Sequence, residues 1–240
     1  MSGLVGWMDK TLYPEFGKNW DDVLFRERIM ARLTPDAEVL DVGAGAGIVE
    51  QMRFKGHVKR ICGVDLDPRV EENPHLDEGR LADAGSIPYG DDMFDLVFAD
   101  NVMEHLDDPV AVFNEIRRVL KPGGHLLFKT PNRNHYMPLI ARLTPHSFHQ
   151  FYNKLRGREA VDTFPTHYLA NSKSQVAQLA ETCGLKLVDV ERIEGRPEYL
   201  RITFPTYLAG AAYERVVNAT SAFAGIRILL VATLQKPMNN

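Results

Sequence analysis

The chain has 240 residues, 45% hydrophobic and 25% charged, a balance that supports one globular domain with a sizeable core and excludes a disordered or fibrous chain. The formal net charge of −4 gives no basis for nucleic-acid binding, although residues 1–150 carry −7 and residues 151–240 carry +3. The two cysteines are too few and too far apart for a disulfide framework; with no apolar run of about 18 residues and no signal-peptide pattern, a cytoplasmic protein without a membrane span is expected.

Strand and helix signals alternate from about residue 18. Val23, Leu24, Ile29, Met30 and Leu33 recur at helical spacing over 19–33, and residues 1–33 read as an N-terminal helical cap. Residues 38–42 form a short apolar strand that runs into Gly43, Ala44, Gly45, Ala46 and Gly47, and a helix is expected from Ile48 to about Phe54. A second strand spans 58–64. Asp67 and Pro68 then look like the cap and first turn of a helix. Leu81 and Ala82 mark a third strand, and 94–99 is a fourth, apolar enough to be covered on both faces. Asp108 and Pro109 open another helix with an apolar face at Val112, Phe113, Ile116, Val119 and Leu120; Pro122 to Gly124 reads as a turn before a fifth strand at 125–129. The rhythm implies a parallel sheet with helices on both faces.

It breaks at Thr130. Residues 131–170 are rich in Pro, His and aromatics without clear period, which makes them either functional or a site of unrecognised helices. A helix resumes at 172–183 with Ser172 as cap. A sixth strand covers 185–193, an apolar helical stretch covers 204–223, and a last strand covers 227–234.

The glycine turn is the most informative feature. A strand, a glycine turn and a helix bring backbone N–H groups close to a ligand, and only glycine permits that approach. A dinucleotide fingerprint needs Gly or Ala three positions after the second glycine; here Ile48 stands there, and Gly47 comes one residue earlier. That disfavours an NAD(P)-dependent oxidoreductase.

At these residues the sequence resembles the class I, seven-strand S-adenosylmethionine-dependent methyltransferases, especially the small-molecule branch that includes quinone-biosynthesis enzymes. Four blocks carry the resemblance in order: Val39 to Gly47; Gly63-Val64-Asp65; Ala82-Asp83-Ala84 with Ile87-Pro88-Tyr89; and Phe94 to Val97 through Met103-Glu104-His105 to Lys121-Pro122-Gly123-Gly124. The resemblance implies a Rossmann-like α/β fold of seven strands, mostly parallel with an antiparallel last strand. It also implies S-adenosylmethionine as cofactor, S-adenosylhomocysteine as product and a small-molecule acceptor. A non-catalytic, cofactor-holding regulatory protein is the competing class, and a homodimer is compatible.

The residue chemistry agrees with that carry-over. Asp65 lies 20 residues beyond Gly45, where an acid can accept both ribose hydroxyls; its alternative is to cap the next helix. Asp83 can accept from the adenine amino group or simply hold a turn before Gly85. Leu66 offers the base an apolar wall, beside Ala84. Asp41 and Asn101 stand at strand ends, where the methionine end would lie, with Gly43, Ala44, Gly45 and Gly47 around it. Methyl transfer needs a base only if the acceptor must lose a proton. His105 is the first candidate and has a structural alternative; His149 and His167 are candidate orienting groups in a stretch that is either an acceptor pocket or a self-packed lid. Residues 131–170 and 195–223 are expected as acceptor-side insertions. His146 and His149 have ligand-like spacing but no companion Cys or carboxylate, so no metal is expected.

Overall fold

A computed structural model describes residues 3–17, 19–143 and 165–238. Seven strands form one sheet: β1 (Glu38–Val42), β2 (Arg60–Asp65), β3 (Glu78–Leu81), β4 (Phe94–Asp100), β5 (Leu120–Pro131), β6 (Lys186–Ile193) and β7 (Leu229–Gln235). Their order is β3-β2-β1-β4-β5-β7-β6. The first five pair in parallel, with Val39 opposite both Ile61 and Leu96, and Asp100 opposite Lys129. β7 runs the other way: Gly123 N–H donates to Lys236 O at 2.9 Å, and Asn132 N–H to Ile228 O at 2.7 Å, so each end of β5 meets the opposite end of β7. An antiparallel strand therefore stands between β5 and β6, a feature absent from the dinucleotide-binding order 3-2-1-4-5-6.

The helices are α1 (Gly3–Leu12), α2 (Trp20–Met30), α3 (Pro109–Val119), α4 (Tyr136–Leu143), α5 (Lys173–Thr182) and α6 (Phe204–Asn218). Their starts follow the sequence chemistry. The Asp108 side chain accepts from Ala111 N–H ahead of Pro109, the Ser172 side chain accepts from Gln175 N–H, and Thr203 and Thr206 form a reciprocal capping box. α3 buries Val112, Phe113, Ile116 and Val119. They join Leu40, Val97 and Phe128 of the sheet and Val176 of α5 in one core cluster, where each large side chain contributes about 1.5–3 kcal/mol by leaving water.

Three expectations need correction. The helix expected over 48–54 is only a 3₁₀ turn, Glu50–Met52. Only Phe54 in that segment is buried, and Ile48 is 75% exposed, so no apolar stripe anchors a longer helix. The helix expected after Asp67 is a 3₁₀ segment, Pro68–Glu72; Asp67 caps it, but Pro74 cannot continue it. The turn expected at Pro122 to Gly124 lies inside β5. Gly123 takes a left-handed φ of 83°, and the β4–β5 register shifts between Phe94 and Leu96, so these residues form an irregularity within the strand.

The chain divides into two compact units. One comprises Asp21–Thr130, Thr166–Glu191 and Leu230–Asn240; the other comprises Met1–Trp20, Pro131–Pro165 and Arg192–Leu229. The second gathers the N-terminal segment with most of both stretches expected as insertions. Within it, Val5, Met8 and Tyr13 pack on Tyr207 and Ala211, Tyr13 stacks on Tyr207 at 5.8 Å, and Asp9 accepts from Arg201 and from Tyr207. Tyr13, Phe16 and Trp20 form an edge-to-face ladder, while Trp7 is exposed.

Candidate cofactor site

β1 ends in a turn whose three glycines all have positive φ, at 87°, 47° and 70° for Gly43, Gly45 and Gly47. Two of them are also required by close packing. A Cβ on Gly43 would lie 2.3 Å from Val102 Cγ2, and one on Gly47 would lie 2.4 Å from Asn73 Oδ1. Gly43 N–H donates to Val64 O at 2.8 Å, which ties the turn to the end of β2. Asn73 clamps it from outside: its Nδ2 donates to Ala44 O at 3.3 Å and Gly45 O at 3.1 Å, and its Oδ1 accepts from His75 N–H. The Arg53 guanidinium donates twice to Gly47 O.

An open cleft of about 450 Å³, counting its mouth, lies against this turn. Asp41, Gly43, Ala44 and Gly47 line it, as do Asn73, Arg53 and Asp100. Asp41 is 7% exposed. Burial, and then the neighbouring charges of Asp100 and Asp65, hold its carboxyl well above the usual carboxylate range; no donor among the described residues offsets them. Asp100 is raised to about 7, first by burial and further by Asp22 and Asp21, against the pull of Lys129.

The other expected cofactor residues stand as follows. Asp65 Oδ2 accepts from Gly45 N–H at 2.7 Å and Oδ1 from Asp67 N–H at 2.8 Å, so it braces the glycine turn and the next segment together. Each oxygen retains acceptor capacity. Leu66 is 59% exposed. Asp83 Oδ1 accepts from Gly85 N–H at 2.7 Å, the turn arrangement, and Ala84 packs partly against the core. Asn101 has φ 54° and donates from Nδ2 to Asp100 Oδ1 at 2.9 Å. Leu66, Asp83, Ala84, Asn101 and Asp65 are not among the residues lining the cleft.

Two of the three candidate histidines come together. His105 closes the 3₁₀ turn Met103–His105 after β4, with Nε2 4.0 Å from Glu104 Oε1. His167 N–H donates to Glu104 O at 2.7 Å. Glu104 is buried, which raises its carboxyl, and it accepts from Thr130 Oγ1, which in turn accepts from Asn171 Nδ2 at 2.6 Å. His149 and His146 lie outside the described residues. Among the described residues no group of three or more His, Cys, Asp or Glu is placed to hold a metal ion, and no helix is long and apolar enough to cross a membrane.

Asn73, Arg53, His75, Asp100 and Lys129 were not foreseen. Lys129 had a signal, because a lysine within Leu126-Leu127-Phe128-Lys129-Thr130 must be buried and therefore paired. Asn73 had only its place before Pro74.

Comparison with known proteins points to one family. A methyltransferase-domain family model matches residues 19–190. The malonyl-[acyl-carrier protein] O-methyltransferase of Hahella chejuensis is 32% identical over 156 residues, covering 62% of this chain and 50% of that protein; this chain thus matches only half of that relative's length. The ubiquinone biosynthesis O-methyltransferase of Acinetobacter baylyi is 28% identical over 179 residues, covering 67% of this chain and 68% of its own. Among solved structures, the [4+2]-cyclase SpnF superposes with a TM-score of 0.58 at 20% identity, covering 91% of this chain and 81% of its own, a likeness of fold alone. The chain belongs to the methyltransferase-domain family and has the class I, Rossmann-like fold of the S-adenosylmethionine-dependent methyltransferases.

Proposed function

We propose that this chain transfers a methyl group from S-adenosylmethionine, bound at the glycine turn, to a small-molecule acceptor. The observation that carries the reading is the buried Asp41 carboxyl, which has no donor among the described residues, in a cleft walled by Gly43, Ala44 and Gly47. A primary ammonium, such as the cofactor's amino-acid end carries, supplies the missing donors and charge. Asp65, braced on Gly45 N–H, has oxygens left for ribose hydroxyls. Asp83, Leu66 and Ala84 are proposed for the adenine, and Asn101 for the methionine end.

When bound, S-adenosylmethionine supplies a methyl group on a good leaving group. What remains for the protein is to align the acceptor and exclude water. His105 is proposed as the group that takes the acceptor's proton, with Glu104 beside it; His167 and His149 are proposed to orient the acceptor. Oxygen is the first acceptor atom to test, because both curated relatives are named O-methyltransferases.

The experiment has two arms. S-adenosylhomocysteine should bind the wild type in a calorimeter, and Asp65→Ala should weaken it by about 1–3 kcal/mol through unpaired hydroxyls. Labelled methyl should pass to members of a small phenol and carboxylate panel. Binding that Asp65→Ala leaves unchanged removes the ribose assignment; binding with no transfer to any acceptor favours the non-catalytic class.

A further inference from the structure

Among the described residues, more carboxyl groups than buried cations gather near the cleft under the glycine turn. Asp41 from β1 and Asp100 from β4 line it; Asp65, at the end of β2, acts on Asp41, and Asp21 and Asp22, from the first turn of α2, act on Asp100. Against them is Lys129 from β5, whose side chain is wholly buried. It lies 3.0 Å from both Asp21 Oδ2 and Asp100 Oδ1, and it also pairs with Asp22. Glu104, beyond β4, feels the same ammonium. Arg53 and His75 line the cleft too, but the Arg53 guanidinium is engaged with Gly47 O. Burial opposes the Lys129 charge, yet Asp100, Asp21 and Asp22 outweigh it and raise its pKa. The α2 N-terminus helps to offset Asp21 and Asp22. Among the described residues nothing comparable reaches Asp41.

We propose that Lys129 is a positioning residue for the cofactor: shared among Asp21, Asp22 and Asp100, it fixes the Asp100 carboxylate in the cleft wall but leaves Asp41 unbalanced, so the cofactor's ammonium enters in exchange for a proton. The exchange balances simply. A protonated Asp41 releases its proton to solvent, and the resulting carboxylate pairs with the ammonium already carried by the ligand. Asp100 titrates as part of the same set, so the release is a property of the coupled pair. The inference rests on the cleft being the cofactor site, and its test separates the two.

Full-length protein is titrated calorimetrically with S-adenosylhomocysteine between about pH 6 and pH 8, in buffers of different ionisation enthalpy. A parallel titration uses 5′-methylthioadenosine, which keeps the nucleoside and thioether but lacks the ammonium. The homocysteine ligand should release up to about one proton and tighten by as much as about tenfold per pH unit as pH rises, while methylthioadenosine stays flat. Asp22→Asn, which leaves more of Lys129 to Asp100, should move the homocysteine profile to lower pH. Lys129→Gln, which removes the buried cation that Asp21, Asp22 and Asp100 share, should move it to higher pH. The wild-type profiles and Asp22→Asn decide the matter even if Lys129→Gln does not fold. Equal pH dependence for both ligands, or homocysteine binding without proton release, overturns the exchange while leaving the cofactor site standing. Failure of both ligands to bind overturns both.

Discussion

Lys129 and His135 are six residues apart, and both side chains are buried, yet the molecule treats them in opposite ways. Lys129 meets three carboxylates and keeps its charge. His135 meets one, Glu194, whose Oε2 is 3.6 Å from its Nε2, and that nitrogen has no hydrogen-bond partner among the described residues. Burial drives the His135 pKa down to about 3. Burial, aided by Glu214, raises Glu194 to about 8 despite the Ile228 amide and Arg227. Rings flank the imidazole: Tyr136 lies 4.0 Å and Tyr213 5.6 Å from it, centroid to centroid. A buried ion survives when several opposite charges repay its desolvation, and a single misaligned one leaves two neutral groups. The surviving ion holds Asp100 at the proposed cofactor cleft.

The largest expected effect breaks the charged centre. Lys129→Met should cost about 3–5 kcal/mol near pH 8, because it leaves Asp100, Asp21 and Asp22 without their counter-ion. Without the lysine the Asp100 carboxyl, already raised, rises further, and a raised carboxyl costs stability as pH increases through its window. The deficit should therefore shrink toward pH 5, which urea unfolding at the two pH values measures. A deficit equal at both would mean that Lys129 acts by packing and not by charge.

The neutral centre should respond with the opposite sign. Glu194 has a folded pKa of about 8 against an unfolded value near 4.3, so the native state holds a proton there that the unfolded chain has lost. Its contribution to stability falls across that window as pH rises. His135, depressed to about 3, loses stability as pH falls from about 6.5. The two slopes oppose each other between about pH 4.3 and 6.5, and only the Glu194 slope remains above that. Glu194→Gln keeps an oxygen for the Ile228 N–H, which now donates to Glu194 Oε2 at 2.8 Å. It should gain about 2 kcal/mol at pH 8 and little at pH 5, the ceiling of about 1.4 kcal/mol per pH unit being offset by the poorer burial of an amide. Unfolding curves that lose stability at pH 8 would show that Glu194 is a needed charge and that the two centres are alike.

The sheet and the cleft beside the first of these centres were legible in the sequence; the centre itself was not. The parallel core was legible because strands buried on both faces read as apolar runs, and the caps Asp67, Asp108 and Ser172 announce helix starts by local chemistry. The glycine turn and Asp41 were legible for the same reason, since backbone approach needs glycine. Helix length after the turn was not, because it depends on whether Ile48 and Glu50 find anything to pack on. Asp100 and Lys129 are opposite one another only through the β4–β5 register, and Asp21 and Asp22 join them only through the tertiary placement of α2. His135 and Glu194 are 59 positions apart, and neither has a motif; the reading of 131–170 allowed for unrecognised helices, of which α4 is one, but could not place it without a clear period.

The smallest expected effect serves as the control for the other two. Asn73 is buried and polar but carries no charge. Its side chain donates to Ala44 O and Gly45 O and accepts from His75 N–H, so it fastens the glycine turn by hydrogen bonds alone. Asn73→Ala should cost about 1 kcal/mol, the net worth of such bonds when solvent from the adjoining cleft can replace the lost partner. No group changes protonation in that loss, so it should be the same at pH 5 and pH 8. The control is local, because Asn73 lines the same cleft as Asp41 and Asp100. If the Asn73→Ala deficit instead grows with pH as steeply as that of Lys129→Met, loosening the turn is enough to expose the carboxylates. The pH dependence would then belong to the cleft's rigidity, and Lys129 would lose its special place in it.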